Sequence, residues 1–219
     1  MTDLIHLVKN HKTILFDMDG TLVNTEPLHA KAAVTVLKEL GIEIDLLSCL
    51  EKYYGMTDTS VLKMECPHFS DEEIETTINK KNQRLIEIFH SLKNHEKENY
   101  LTPGLFKFLD HLKSENKNLG VVSASEDIVV TETLACFNIT QYMQIQMGRS
   151  QTEKTKPHPD PYLEAMRRLK SSPHETIIFE DSPTGLKAAS DSQAQVIRIT
   201  GFAHDDKKSP FVEIKNFLF

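Results

Sequence analysis

The chain has no basic run, no long apolar run and only three cysteines, and each shortage removes a class of function. With a net charge of -7 and no basic segment to offset it, a nucleic-acid surface is not expected. The longest basic clusters, such as Lys80-Lys81 and Lys207-Lys208, read as solvated faces. No apolar stretch approaches the roughly 20 residues that span a bilayer, so no membrane partner is expected. Met1 to Asn10 lacks the continuous apolar core of a signal peptide, which makes a cytoplasmic protein the expectation. Cys49, Cys66 and Cys136 are odd in number and show neither C-x-x-C nor metal-ligand spacing, so they read as reduced thiols in the core. Ten histidines are present, yet none pairs at i,i+4 with a carboxylate partner, and His90 and His95 would face different ways on a helix. There is no internal repeat and no low-complexity tract. What remains, 39% hydrophobic and 26% charged residues, is the composition of a globular protein: one domain, or one domain carrying an insertion.

The chain divides by pattern. Residues 13–18 are short, apolar and followed by Gly20, as suits a strand buried on both faces. Thr25 stands where it can cap a helix with Pro27 in its first turn, and Gly41 is a stop signal after Leu40. Ser70 and Glu73 have capping-box spacing. Beyond them Ile74, Ile78, Leu85, Phe89 and Leu92 recur at helical intervals as one apolar stripe. Residues 23–98 therefore read as a small helical unit without strands. From about residue 99 strands and helices alternate. Strands are predicted over Leu119–Ala124, Tyr142–Met147, Thr176–Phe179 and Gln195–Thr200, with helices over about 103–115, 126–136, 159–170 and 183–191. Such alternation predicts an α/β protein with a mostly parallel sheet. The expected division is a core of residues 1–22 and 99–219 with residues 23–98 inserted after the first strand.

Polar residues gather at the strand ends. Asp17 and Asp19 close the first strand, Ser123 ends the second, and Glu180-Asp181 follow Thr176–Phe179. In open α/β sheets ligands bind outside the carboxyl ends of strands, so these residues should converge, with Lys156 in reach from a Pro-rich loop. Four carboxylates together would raise one another's pKa values unless a cation answers them. Mg²⁺ suits the oxygens of Asp17, Asp19, Glu180 and Asp181. Lys156 and Ser123 exceed the needs of a metal cage but suit an anion, and metal plus anion points to phosphate chemistry. An EF-hand is excluded, because Gly20 follows the second Asp directly and the twelfth loop position is Leu28, not Glu.

Asp17-Met18-Asp19-Gly20-Thr21-Leu22, Ser123, Lys156-Pro157-His158-Pro159-Asp160 and Phe179-Glu180-Asp181-Ser182-Pro183 occur in this order. On these motifs the chain resembles the haloacid dehalogenase-like hydrolases, more closely the β-phosphoglucomutase and sugar-phosphate phosphatase group. The resemblance implies a Rossmann-like core and a helical cap. It makes Asp17 the nucleophile, forming an aspartyl-phosphate, and Asp19 the acid and base. It implies Mg²⁺ held by Asp17, the Asp19 carbonyl and Asp181, with Glu180 helping directly or through water. Gly20, Ser123, Ala124 and Lys156 would surround the phosphoryl group, and Lys156 would offset its developing charge. Dehalogenases of this superfamily lack the second aspartate, so Asp19 argues against dehalogenation. His29 matches a histidine that the mutases use. Asp58, however, stands where mutases place an arginine for a second phosphate, which favours hydrolysis of a monophosphate. His29, Thr57 and Asp58 are the candidates for substrate contact, and the expected partner is a small phosphorylated metabolite acted on by a monomer.

Overall fold

The computed structural model describes residues 4–53, 56–202 and 209–219; Gly55 and the Lys207-Lys208 pair lie outside them. The apolar runs become the strands of one parallel sheet. Its strands are β1 (Thr13–Phe16), β2 (Asn118–Val122), β3 (Ile145–Met147), β4 (Thr176–Glu180), β5 (Gln195–Ile199) and β6 (Val212–Ile214). Their spatial order is β3-β2-β1-β4-β5-β6, every neighbouring pair parallel. This is the Rossmann order, in which the connections reverse direction at β1 and open a crevice between β1 and β4. β1 and β4 are buried along their whole length because both flank the centre of the sheet.

The chain separates into two compact units, one of Met1–Asn24 with His95–Phe219 and one of Thr25–Asn94. The first contains the sheet and the helices α1 (Leu4–Val8), α7 (Leu105–Ser114), α8 (Asp127–Cys136), α9 (Asp160–Arg168) and α10 (Pro183–Asp191). The second contains α2 (Glu26–Glu39), α3 (Leu46–Lys52), α4 (Asp58–Glu65) and α5 (Asp71–Ser91), and the short α6 (Asn94–Lys97) begins at its last residue. Val23 and Asn24, which the sequence pattern groups with the helices, belong with the sheet. Val23 bridges Leu101, and the Asn24 N–H donates to the Tyr100 carbonyl at 2.7 Å.

Aromatic rings fill one side of the sheet unit. Phe16 stacks on Phe179 with centroids 5.3 Å apart, and Phe108 stacks on Phe217 at 5.1 Å. Phe217 is fully buried, so the C-terminal segment closes this core. Tyr162, Met166, Leu186, Ala188 and Ala189 cover Leu15, Val122 and Ile178 in the other cluster. The helical unit has its own core of Ala30, Leu37, Cys49, Tyr53, Leu62 and Ile74.

Of the helix ends that the sequence pattern marks, Thr25, Gly41 and Ser70 with Glu73, all but one form as expected. Ser70 and Glu73 form the reciprocal capping box, and Asp45, Thr57 and Ser182 also cap their helices. At the end of α2, Gly41 N–H bonds the Lys38 carbonyl and Ile42 N–H the Leu37 carbonyl, a Schellman closure with Gly41 at φ +81°. Thr25 is the exception: its backbone is already helical (φ -90°, ψ -8°) and its hydroxyl makes no capping bond. Three further features depart from the pattern reading. The third strand begins only at Ile145, after a 3₁₀ turn over Thr140–Tyr142. β6 is a three-residue edge strand with too few apolar residues to announce itself. Lys81 is not solvated: it lies within the buried face of α5, only 5% exposed.

Candidate active site

Asp17 and Glu180 stand side by side because β1 and β4 pair in register, Phe16 opposite Phe179. The Asp17 N–H extends that ladder to the Phe179 carbonyl at 2.9 Å. After Asp17 the chain turns tightly: Leu22 and Val23 N–H groups return to the Met18 carbonyl, and Gly20 adopts φ +88°. A Cβ on Gly20 would overlap the Asp181 carboxylate, so glycine here both permits the turn and admits Asp181. Thr21, which the sequence reading quoted within the first motif without giving it a role, donates its hydroxyl to Asp181 Oδ1 at 3.2 Å.

Lys156 is the charge at the centre. Its Nζ donates to Asp17 Oδ1 at 2.6 Å and to Glu180 Oε1 at 2.7 Å, and its side chain is only 3% exposed. Burial alone would pull its pKa down, but Asp17 and Glu180 outweigh that and raise it well above the usual lysine value. Glu180 is wholly buried, with both oxygens occupied. Oε1 accepts from Lys156 and Tyr162, while Oε2 accepts from the Asp181 and Ser182 N–H groups and the Ser182 hydroxyl. Gly185 faces this carboxylate, leaving no room for a side chain of its own.

Ser123 and Asp19 also meet, with a partner that the sequence reading did not single out. Asp19 Oδ2 accepts the hydroxyls of Ser123 at 3.4 Å and Ser125 at 3.1 Å, and the Ser125 N–H donates to Ser123 Oγ at 3.0 Å. Ala124 lies exposed between the two serines. The signal for Ser125 was only its place two residues beyond Ser123, which is weak without the turn geometry.

Within the described residues, Asp17, Glu180 and Asp181 each offer a ligand oxygen, all within 4.8 Å of one another. The Asp19 side chain is not part of that group. Burial raises Asp17, and with repulsion from Glu180 and Asp19 it outweighs the pull of Lys156, pushing the carboxyl up to about 8. Burial, then Asp17 and Glu180, likewise raise Asp181 well above the carboxylate range. One lysine therefore does not balance this set. An all-oxygen cluster short of positive charge fits a hard divalent cation such as Mg²⁺.

In the helical unit, Lys81 Nζ donates to Asp58 Oδ2 at 2.7 Å and lies 3.2 Å from His29 Nδ1. The sequence reading named Asp58 and His29 but missed Lys81, which sits where α5 turns its buried face. Thr57 is exposed, and its hydroxyl is engaged in capping α4 by accepting the Ser60 N–H at 3.2 Å.

Known proteins share this arrangement of strand and loop. The chain is 29% identical over 199 residues to a phosphorylated carbohydrates phosphatase of Thermotoga maritima, covering 88% of this chain and 86% of that one. It is 25% identical to a phosphoglycolate phosphatase of Nitrosococcus oceani, covering 97% and 98%. Among solved structures, CbbY from Rhodobacter sphaeroides in complex with phosphate superposes with a TM-score of 0.81 at 22% identity, covering 94% and 95%. The family model for haloacid dehalogenase-like hydrolases matches residues 14–199, and the chain belongs to that family as a hydrolase of the phosphatase kind.

Proposed function

We propose that the protein is a Mg²⁺-dependent phosphatase that hydrolyses a small phosphomonoester, such as a sugar phosphate, through an aspartyl-phosphate on Asp17. The observation that carries this reading is the buried Lys156 bridging Asp17 and Glu180, with Asp19 held apart by two serine hydroxyls. Asp17 attacks phosphorus while Asp19 gives its proton to the leaving oxygen. Asp19 then takes a proton from the water that attacks phosphorus, releasing phosphate and restoring Asp17. Lys156 moves its hydrogen bond from Asp17 to the phosphoryl oxygens as negative charge grows there, and Ser123 donates to the same group. Mg²⁺, held by Asp17, Asp181 and the Asp19 carbonyl with Glu180 assisting, would supply positive charge that keeps Asp17 ionised and shields the phosphoryl oxygens.

The helical unit is assigned the part of a cap that chooses the substrate. Asp58 there neutralises Lys81, which supports a substrate with one phosphate rather than two. The names of the relatives, a phosphorylated carbohydrates phosphatase and a phosphoglycolate phosphatase, point to the same substrate class. Mutase chemistry has a narrower basis in His29, which pairs with Lys81. A panel of phosphomonoesters, assayed for phosphate release with Mg²⁺, with EDTA and with Asp17→Asn, tests the proposal. Release should require Mg²⁺ and fall by about three orders of magnitude or more in D17N. Release that survives both controls contradicts it, and conversion of β-glucose 1-phosphate without phosphate release would establish the mutase instead.

A further inference from the structure

Tyr162 has no part in the chemistry above, yet it is among the largest fully buried side chains and touches its centre. Its hydroxyl donates to Glu180 Oε1 at 3.1 Å, the oxygen that also accepts Lys156. The Lys156 ammonium lies 4.9 Å from the centroid of its ring. We propose that Tyr162 is a positioning residue that holds Lys156 and Glu180 in register with the transferring phosphoryl group.

The need for such a residue follows from the geometry of Lys156. A lysine is a point charge on a flexible four-carbon stem with three rotatable donors. Two of those donors are spent on Asp17 and Glu180. Once the Asp17 bond passes to the phosphoryl oxygens, Glu180 is the carboxylate that still places the ammonium, so the precision of Lys156 becomes the precision of Glu180. Glu180 Oε2 is fixed by the start of α10, through the Asp181 and Ser182 N–H groups. Oε1 has one fixed donor besides the mobile lysine, and that donor is Tyr162 from α9. The ring face adds attraction that keeps the ammonium from swinging away. A tyrosine that merely filled the core would be replaced by phenylalanine without consequence for the ammonium. Here phenylalanine would keep the ring and lose the donor.

The proposal rests on the phosphatase reading for the task it gives Lys156, so the test includes a binding measurement that needs no turnover. In the full-length Mg²⁺-loaded protein, Tyr162→Phe and Tyr162→Leu are compared with wild type for p-nitrophenyl phosphate hydrolysis, thermal midpoint, and calorimetric affinity for orthovanadate and inorganic phosphate. Orthovanadate imitates the five-coordinate transferring group, and phosphate the ground state. Y162F should keep its thermal midpoint and its KM while kcat falls about tenfold, the scale expected of a slightly misplaced catalytic charge. Its orthovanadate affinity should weaken by a similar factor and its phosphate affinity should hold. Y162L, lacking the ring as well, should lose more of both kcat and orthovanadate affinity. Wild-type kcat and orthovanadate affinity in Y162F overturn the proposal, as does a rise in KM alone. A wild-type protein that leaves p-nitrophenyl phosphate and the phosphomonoester panel intact defeats the phosphatase reading; the ratio of orthovanadate to phosphate affinity still decides the role of Tyr162.

Discussion

In the proposed mechanism Asp17 must be ionised to attack phosphorus, while its buried surroundings hold its proton up to about 8 in the absence of a cation. Binding of Mg²⁺ should therefore expel that proton. At pH 7, calorimetry in buffers of different ionisation enthalpy should register proton release on Mg²⁺ binding, from Asp17 and from Asp181, whose carboxyl is raised as well, and the release should fall as pH rises through these raised values. D17N should release less, and its thermal midpoint should respond far less to Mg²⁺ than that of wild type, since ligand stabilisation requires binding. Proton release unchanged in D17N would assign the titration to another group. At this scale the sequence is legible wherever a polar residue directly follows an apolar run. Asp17, Ser123 and Glu180-Asp181 stand at strand ends, where only a ligand justifies clustered charge. Thr21, Ser125, Tyr162 and Lys81 were not legible, because their importance depends on distances across the fold and on the rotation of a helix. Lys81 follows another lysine on a polar-looking stretch, and only the packing of α5 turns it inward.

Asp127 ties two of the loops between elements. From the first turn of α8 its carboxylate accepts the Gly148 N–H at 3.0 Å, the Gln151 amide at 2.9 Å and the Ser150 hydroxyl. It thereby joins the loop after β2, which carries Ser123 and Ser125, to the loop after β3, which leads to Lys156. A Cβ on Gly148 would meet the Asp127 backbone at 2.7 Å, so that approach depends on glycine. Partial burial acts to raise the Asp127 pKa, but the bonds from Ser150, Gln151 and Gly148 outweigh it and lower the value. A carboxylate with a depressed folded pKa stabilises the fold above its ordinary value of 3.8 and loses that contribution as pH falls through the depressed one. Asp127→Asn should cost about 1–2 kcal/mol at neutral pH, measured by urea unfolding. The gap from wild type should narrow below pH 3.8, and a gap independent of pH would show that the charge is not what ties the loops. Element boundaries were legible where caps are chemical, as at Ser70, Glu73 and Gly41. They failed at Thr25, whose backbone had already entered the helix, and at β6, a three-residue edge strand with too few apolar residues to mark it.

For the whole molecule, the alternation of strand and helix was enough to anticipate a parallel sheet, because such strands must be buried on both faces and read as continuous apolar runs. The order β3-β2-β1-β4-β5-β6 then puts Asp17 and Glu180 on adjacent strands at the crevice where the topology reverses. Substrate choice was not legible in the same way. The inserted unit of Thr25–Asn94 has amphipathic helices, whose sequence pattern records their packing; its polar pair, Asp58 with Lys81, emerges only when α4 and α5 come together. The central claim is that Asp17 itself carries the phosphoryl group. Its most direct test is to quench the Mg²⁺-loaded protein during turnover of a phosphomonoester, reduce it with borohydride and sequence its peptides by mass spectrometry. An acyl phosphate on Asp17 predicts homoserine at position 17, lost in EDTA and in protein never given substrate. Unmodified aspartate at that position during demonstrated turnover, or homoserine at position 19 in its place, would contradict the account.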